Sequence, residues 1–434
     1  MKTISFASKL AVLFGSLCIC GACAGSSPSS KNVLLRIDGD TAKDRALGRH
    51  LASFSDIDGD DFPEIVAVSP SSGLGSIVVY SGASGQMIYR IEGVSNEYSL
   101  KCFSPIADLN GDGIQEIAVP HTGFIVFSGK DGSLLYKSEE KLHLDRFEPP
   151  RLLALPDRNG DGVVELALDQ PRRGLIVLSG KDGTRLGESA PLGNDEEHML
   201  YSQAPDLDAD GLPDLLGFQY TKRLKGQAGL IPVPLARYFS SADLRPIGEP
   251  FELPIDQRPG LHACADLNRD GTFDVVIAHH SGGLPQGSLL VAVSGSDQSE
   301  LWRVNGADAE YGSRIIGVSA KTGEIVSDYT DIQFGDALAL IPDCNGDGIE
   351  DIVTAHPTLY SKELGRGGCV CVFSGSDGTL LKTIFSPDKE NRISAAIAPF
   401  TDCNFDGAAD LLVGIPSATV GGVREVGAII VLPL

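Results

Sequence analysis

Residues 108–117 read DLNGDGIQEI, an aspartate-rich stretch that runs directly into an apolar segment. The same ten-residue pattern occurs six more times, at intervals of 49 to 77 residues, beginning at Asp56, Asp157, Asp206, Asp266, Asp343 and Asp402. A repeat of this period indicates an array of similar structural units that stack on one another. The seven copies therefore set the count of units in the fold.

Each of the first six units contains four predicted strands. In the second unit the pattern leads into residues 117–119 (IAV), and residues 124–127 (FIVF) and 134–136 (LLY) follow on either side of the turn SGKDG. Short apolar, β-branched runs predict buried strands, and Gly beside Asp between such runs predicts a hairpin. With the strand before each pattern, a unit has the content of one propeller blade. The sequence predicts an all-β fold, a seven-bladed β-propeller of four-stranded blades.

The two ends of the repeat array complement each other. The seventh unit stops at residues 427–432 (GAIIVL) and lacks a fourth strand. Residues 33–37 (VLLRI) have no hairpin partner and resemble fourth strands elsewhere, such as residues 87–91 (MIYRI). We expect this N-terminal strand to complete the seventh blade and remove the open sheet edges. The propeller then occupies residues 32–434 and leaves no room for a second domain.

The N-terminus predicts export from the cell. Residues 1–24 have the form of a signal peptide, with two lysines, an apolar run at 10–19 and an A-x-A site at 22–24, and residues 25–31 form a linker. A lipoprotein leader is the alternative, because Gly21-Ala22-Cys23 before a polar tract resembles a lipoprotein cleavage box with Cys23 as the lipidated residue. Either interpretation predicts a secreted or cell-envelope protein, and the only expected membrane contact is the lipid anchor of the lipoprotein alternative.

The aspartate pattern and its seven copies resemble the FG-GAP repeats of integrin α-subunit propellers and their bacterial relatives. The best unit has Phe334-Gly335-Asp336-Ala337 leading to residues 343–348 (DCNGDG). Leu47-Gly48 is a near match in the first unit, and Gly414-Ile415-Pro416 is similar to the family's Gly-Ala-Pro end. The resemblance covers residues 31–434. It implies a seven-bladed propeller, calcium in some of the hairpin loops and ligand binding on one face.

The pattern carries the ligands that calcium prefers. It supplies side-chain oxygens at positions 1, 3, 5 and 9, and glycine at position 6 permits the left-handed backbone that wraps a loop around an ion. An EF-hand would need Glu at position 12 and flanking helices, but position 12 lies inside a strand, as at Val119. The predicted calcium ligands are Asp56, Asp58, Asp60, Glu64, Asp108, Asn110, Asp112, Glu116, Asp157, Asn159, Asp161, Glu165, Asp206, Asp208, Asp210, Asp214, Asp266, Asn268, Asp270, Asp274, Asp343, Asn345, Asp347, Asp351, Asp402, Asn404, Asp406 and Asp410.

The distribution of net charge also indicates bound calcium. The chain has a formal net charge of −23, and the seven ten-residue windows alone hold 25 acidic and two basic residues. The charges outside the windows therefore cancel. Clustered carboxylates repel one another unless a cation lies among them. We expect calcium to act mainly in stabilising the fold. The alternative is seven solvated, metal-free turns.

Basic residues are expected on the face opposite the aspartate patterns. The connections between second and third strands lie there, including a long loop at 220–229, and so does an insertion at 307–331. Long loops on a rigid scaffold commonly carry function. An anionic ligand such as an acidic glycan would suit the cluster of Arg172, Arg173, Lys222, Arg223 and Lys225. Ordinary solvated loop charge is the alternative explanation.

The sequence favours binding over catalysis. The acidic net charge argues against nucleic acid as a partner, and the chain has no Ser-His-Asp order, cysteine-nucleophile signature or phosphate-binding loop. We expect a binding or adhesion module for a protein or a glycan, and no enzyme. The alternative is a polysaccharide lyase or another glycan-active enzyme built on a calcium-binding propeller. A purely structural envelope protein is a third hypothesis.

Overall fold

The structure is a computed structural model that describes residues 33–70, 73–94, 100–120, 124–138, 152–170, 174–188, 197–204, 206–224, 230–253, 261–279, 289–305, 314–318, 325–330, 337–356, 367–387, 393 and 396–434. Within these ranges the regular secondary structure consists of strands. None of them contains a helix long and apolar enough to cross a membrane.

The described residues form thirty strands, numbered here in chain order. They are β1 (Leu35–Asp38), β2 (Leu51–Phe54), β3 (Glu64–Ser69), β4 (Ser76–Tyr80), β5 (Met87–Glu92), β6 (Ser104–Ile106), β7 (Glu116–Pro120), β8 (Phe124–Phe127), β9 (Leu134–Lys137), β10 (Leu152–Leu155), β11 (Glu165–Gln170), β12 (Gly174–Ser179), β13 (Arg185–Glu188), β14 (Glu197–Gln203), β15 (Leu215–Leu224), β16 (Leu230–Phe239), β17 (Pro246–Glu252), β18 (Leu261–Ala265), β19 (Asp274–His279), β20 (Leu289–Val293), β21 (Glu300–Asn305), β22 (Arg314–Val318), β23 (Ile325–Thr330), β24 (Leu338–Ile341), β25 (Asp351–His356), β26 (Cys369–Phe373), β27 (Leu380–Phe385), β28 (Ile397–Phe400), β29 (Asp410–Ile415) and β30 (Ala428–Leu432).

The strands form seven antiparallel four-stranded sheets, which are the blades of a β-propeller. Six blades use consecutive strands, namely β2–β5, β6–β9, β10–β13, β14–β17, β18–β21 and β24–β27. The seventh has the order β1-β30-β29-β28. The first strands of neighbouring blades contact one another around the centre. The predicted all-β, seven-bladed fold is confirmed.

The N-terminal strand closes the ring, as predicted. Strand β1 pairs antiparallel with β30, so that Leu35 lies opposite Val431 and Ile37 opposite Ile429. A second contact lies beside it, where a Cβ added at Gly414 would come within 1.9 Å of the Gly48 carbonyl oxygen. Only glycine permits such a close backbone approach. This contact explains why glycines stand at both positions of the seam between blades seven and one.

The core lies between the blades. Strands β3 and β4 are buried over their whole length, which is why they read as continuous apolar runs instead of alternating ones. Between blades one and two, Val66 and Val68 pack in one buried cluster with Ile117 and Val119. Similar clusters fill the other blade interfaces. The stacked blades thus place the loops at either end of each sheet on two opposite faces.

Blade four departs from the sequence prediction. A long loop was expected at residues 220–229, but Tyr220 to Leu224 continue strand β15 and pair with residues 230–234 of β16. The expectation is wrong for this part because both segments are rich in β-branched, aromatic and aliphatic residues, which favour an extended ladder. The insertion between blades five and six contains a separate two-stranded sheet, β22-β23.

A buried ion pair ties the closing segment to blade one. Asp44 lies between β1 and β2, and its carboxylate accepts hydrogen bonds from Arg90 of β5 at 2.7 and 3.0 Å. The Asp44 side chain is fully buried, and only 9% of the Arg90 side chain is exposed. Burial raises the pKa of Asp44, but the hydrogen bonds and charge of Arg90 outweigh it and hold this pKa below its ordinary value. The carboxylate therefore stays ionised at neutral pH.

We predict that Asp44→Asn costs about 3 kcal/mol at neutral pH, because it leaves the Arg90 charge buried without its partner. Since the folded-state pKa of Asp44 is lowered, this stabilisation is complete above the ordinary pKa of about 3.9 and is lost as pH falls through the folded-state value. Urea unfolding at several pH values measures it. Asp38→Asn, which breaks the exposed Arg36–Asp38 pair, is the control and should cost less than about 1 kcal/mol. Equal losses for the two variants would contradict the prediction.

Candidate metal centre

The seven aspartate loops lie on one face of the propeller. Each connects the first strand of a blade to the second, and all seven lie in the described part of the chain. We number them loops one to seven in chain order, use positions 1 to 10 within each, and call their side of the molecule the aspartate-loop face. The turn between third and fourth strands lies on the same face. In blades one to six each site is therefore built from two adjacent connections of one blade, whereas in blade seven the third and fourth strands are β30 and β1, which no turn connects.

The carboxylate at position 1 holds each loop in shape. In loop two, Asp108 accepts the N–H of Gly111 at 2.7 Å and that of Gly113 at 2.8 Å. The bond from position 6 recurs in all seven loops. Burial opposes ionisation of Asp108, but these N–H groups outweigh it and lower its pKa. The loop therefore keeps an ionised carboxylate at its centre.

Positions 4 and 6 adopt left-handed backbone conformations in every loop. Gly111 and Gly113 have φ values of +82° and +85°. Four residues other than glycine accept the same conformation, with φ between 60° and 69°: Asp61, Ala209, Arg269 and Phe405. Such residues cost of order 1 kcal/mol or more unless the surroundings enforce the conformation. The hydrogen bonds to position 1 thus impose one loop geometry on seven different sequences.

The carboxyl group at position 9 is fully buried in all seven blades. It belongs to Glu64, Glu116, Glu165, Asp214, Asp274, Asp351 and Asp410. In loop one, Glu64 accepts the N–H of Ile57 at 2.9 Å and the N–H of Gly82, in the neighbouring turn, at 3.1 Å. Burial raises the pKa of Glu64 despite these bonds. A cation nearby would offset this cost by favouring the ionised form.

Loop two has an unsatisfied carboxylate oxygen. Glu116 accepts the Gly129 N–H at 2.9 Å through Oε2, whereas its Oε1 is buried and has no hydrogen-bond partner of good geometry. Burial raises the pKa of Glu116, and the N–H groups of Gly129 and Leu109 offset this only in part. Asp108, Asp112 and Glu116 each place an oxygen within 4.8 Å of the others. A buried acceptor of this kind needs a donor or a cation.

The structure brings the predicted ligands together most closely in three loops. Three carboxylates have oxygens within 4.8 Å of one another in loops one, two and four: Asp56, Asp58 and Glu64; Asp108, Asp112 and Glu116; Asp206, Asp208 and Asp210. Loops two, three, five, six and seven carry Asn at position 3, so an amide oxygen replaces one carboxylate there, and the group in loop two is formed by positions 1, 5 and 9. Carboxylate and amide oxygens suit a hard cation such as calcium and do not favour softer metals. The residues fit calcium.

Two arginines bring positive charge to particular loops. Arg158 of loop three is half-buried, and burial lowers its pKa while the charges of Glu165 and Asp243 oppose this. Arg269 of loop five reaches the next blade, where its guanidinium donates to the Asp347 carbonyl oxygen of loop six. A cation so close to the predicted ligands weakens the attraction for a second cation. Loops three and six are thus less favourable for calcium than their sequences suggest.

In blades one to six the turn between third and fourth strands completes the site, although its sequence predicts only a hairpin. A backbone N–H of this turn donates to the carboxylate at position 9, from a glycine such as Gly82 or Gly129 in five blades and from Ser241 in blade four. Its serine hydroxyls reach position 5, as in the 2.8 Å bond from Ser376 to Asp347. The recurrence of Ser-Gly before most fourth strands was the available signal, because a turn alone does not require that pair.

Gly129→Ala is predicted to destabilise the protein by about 3 kcal/mol, because the space beside this turn is already filled. An added Cβ would come within 1.9 Å of the Gln115 carbonyl oxygen and 2.5 Å of the Phe54 ring. Gly187→Ala in β13 is the control, since its Cβ would meet no atom within 4 Å. Chemical denaturation of both variants measures the difference, and a Gly129→Ala protein as stable as the control would refute the packing argument.

Several predicted residues lie outside the described part of the chain. They are Arg172, Arg173 and Lys225 of the basic cluster, together with Cys23 and the signal peptide. Lys222 and Arg223 belong to strand β15, and the structure describes only their backbone. The anionic-ligand hypothesis therefore stays a prediction.

Comparisons with known proteins give partial similarity. No protein-family model matches the chain. Integrin alpha-7 of Homo sapiens is 30% identical over 207 residues, which is 43% of this chain and 16% of that protein. Phosphatidylinositol-glycan-specific phospholipase D of Dictyostelium discoideum is 24% identical over 174 residues, 37% of this chain and 18% of that protein. The chain thus spans less than a fifth of the length of either curated relative.

Two solved structures align with most of the chain at low sequence identity. A crystal structure of BBS1N in complex with ARL6DN aligns with a TM-score of 0.50 and 10% identity, covering 93% of this chain and 96% of that one. The WD40 repeats of RRP9 align with a TM-score of 0.49 and 14% identity, covering 92% of this chain and the whole of that one. At this identity the BBS1N alignment supports the propeller fold alone.

Proposed function

We propose that this protein is a calcium-stabilised propeller of the FG-GAP type that acts outside the cell as a binding module for a protein or a glycan. The observation that carries the calcium assignment is the buried, unpartnered Glu116 Oε1 beside Asp108 and Asp112. Burying a carboxylate oxygen without a partner costs free energy. A calcium ion at this point would satisfy Oε1 and balance three neighbouring charges.

The binding role is supported by the scaffold. The buried strands form a rigid frame, and in loop two Asp108 and Asp112 accept hydrogen bonds from N–H groups of their own loop. The partial similarity to integrin alpha-7 and the seven copies of the pattern support the FG-GAP type. The absence of a recognisable catalytic motif in the sequence favours binding over chemistry.

Export belongs to the same proposal. Calcium at extracellular concentrations fills sites that are too weak to be occupied in the cytosol. The signal-peptide pattern of residues 1–24 and the linker at 25–31 fit this location, with Cys23 as the lipidated residue if the leader is of the lipoprotein kind.

Calorimetric calcium titration tests the proposal. We expect Glu116→Gln to weaken binding at one site by roughly tenfold or more, because it removes a charged oxygen ligand. Glu350→Gln is the matched control, since it removes a carboxylate at position 8 of loop six, which is not a ligand position. Identical titrations for Glu116→Gln and the wild type would contradict the calcium assignment. New unsaturated ends after incubation with pectic or sulphated polysaccharides would contradict the binding role and favour a lyase.

A further inference from the structure

Two phenylalanine rings lie together on the aspartate-loop face, where blades seven and one meet. Phe405 occupies position 4 of loop seven and is 80% exposed. Its ring contacts Phe62 of loop one edge to face, with centroids 6.2 Å apart and an interplanar angle of 80°. Phe405 also has φ of +60°, a conformation for which loops one, two, three and six use glycine at this position. Neither burial nor backbone preference explains a bulky ring here.

The surroundings of this ring pair are strongly acidic. Residues 55–64 and 401–410 contain eight carboxyl groups, and neither segment, nor the turn at 81–86, contains Lys or Arg. Asp58, Asp60, Asp61 and Asp406 are exposed among them. A calcium ion in each loop would neutralise only half of these charges. The rings therefore stand in a negative field whether or not the two loops hold calcium.

We propose that the Phe62–Phe405 pair and the carboxylates of loops one and seven bind a basic peptide segment of a partner protein. An arginine or lysine side chain over the open face of Phe405 gains cation–π attraction, and the adjacent carboxylates pair with its charge. The same field repels acidic glycans and anionic lipid headgroups. This inference rests on the proposed function as a binding module, and it adds the face and the chemistry of the partner.

The exposed ring of Phe405 also sets a preference between cations. Guanidinium is planar and less strongly hydrated than ammonium, so it stacks on an aromatic ring at a smaller desolvation cost. An arginine-bearing segment should therefore bind more tightly than the same segment with lysine. Its affinity should fall as salt concentration rises, because the carboxylates are exposed and screened.

The experiment measures fluorescence anisotropy of labelled Gly-Arg, Gly-Lys and Gly-Glu repeat peptides with the full mature chain. Phe405→Leu removes the ring but keeps an apolar side chain with the same backbone demand, and Phe405→Asn suits the left-handed conformation. Phe273→Leu is the control, because Phe273 lies in loop five and is 41% exposed. We expect roughly tenfold weaker binding of the Gly-Arg peptide to both Phe405 variants, and none of the Gly-Glu peptide. Melting temperatures establish that each variant is folded.

Two outcomes would overturn the inference. One is equal affinity of the wild type, Phe405→Leu and Phe405→Asn for the Gly-Arg peptide. The other is the absence of peptide binding together with a different interaction that depends on Phe405. That interaction would be either binding to phosphatidylcholine vesicles or self-association in sedimentation. Repeating the measurement in calcium and in EDTA separates the two proposals. Peptide binding that depends on Phe405, with a melting temperature that calcium does not change, would refute the calcium site alone. A melting temperature that calcium raises, with no peptide binding that depends on Phe405, would refute this inference alone.

Discussion

Deletion of residues 31–40 is expected to lower the free energy of unfolding by at least about 5 kcal/mol. The deletion removes β1, which supplies the fourth strand of blade seven and contributes the buried side chain of Ile37. It also leaves the edge of β30 unpaired and exposes Ile429 and Val431, which are about 1% exposed in the intact protein. Each buried aliphatic side chain that becomes exposed costs about 1.5 to 3 kcal/mol. An open, apolar edge strand should also promote aggregation.

Urea denaturation of the deletion variant measures this effect. Deletion of residues 25–30, which lie before the strand, is the matched control and should leave the midpoint unchanged. A synthetic peptide of residues 31–40 should bind the exposed edge of β30 and raise the melting temperature of the deletion variant in a concentration-dependent way. An unchanged midpoint after removal of β1 would show that the closing pair contributes nothing to stability.

Much of the fold follows from the repeat. The aspartate pattern sets the blade count. The seventh unit has no fourth strand after residues 427–432, and the strand at 33–37 has no partner in its own unit. Together these features predict ring closure, which the β1–β30 pairing confirms. These features are predictable because they are local and periodic. The extended ladder of β15 and β16 was missed, because charged residues such as Lys222 and Arg223 in an apolar frame read equally well as a loop.

The site was only partly predictable for a different reason. The positions of the ligands follow from the spacing of oxygens along one loop. The partners of Glu116 come from two chain segments, since Gly129 lies in the next turn of the blade. The reach of Arg269 into loop six and the contact of Phe405 with Phe62 both cross from one blade to another. Such contacts depend on how blades stack, which the sequence of one repeat does not determine.

Removal of calcium is expected to have the second large effect. A ligand that binds only the folded state at 100 times its Kd stabilises by about 2.7 kcal/mol per site, so loops one, two and four together would contribute about 8 kcal/mol. For an unfolding entropy of about 2.1 cal/mol/K per residue, that corresponds to a fall of about 10 °C in the melting temperature. Magnesium should restore less of the stability, because it demands octahedral geometry at shorter distances.

The most direct measurement is the thermal unfolding of the wild-type protein in calcium, in EDTA, and in EDTA followed by excess calcium. Calcium-stabilised loops predict a melting temperature that falls by about 10 °C in EDTA and returns when calcium is restored. A melting temperature that is the same in all three solutions would contradict calcium as the cation of the aspartate loops.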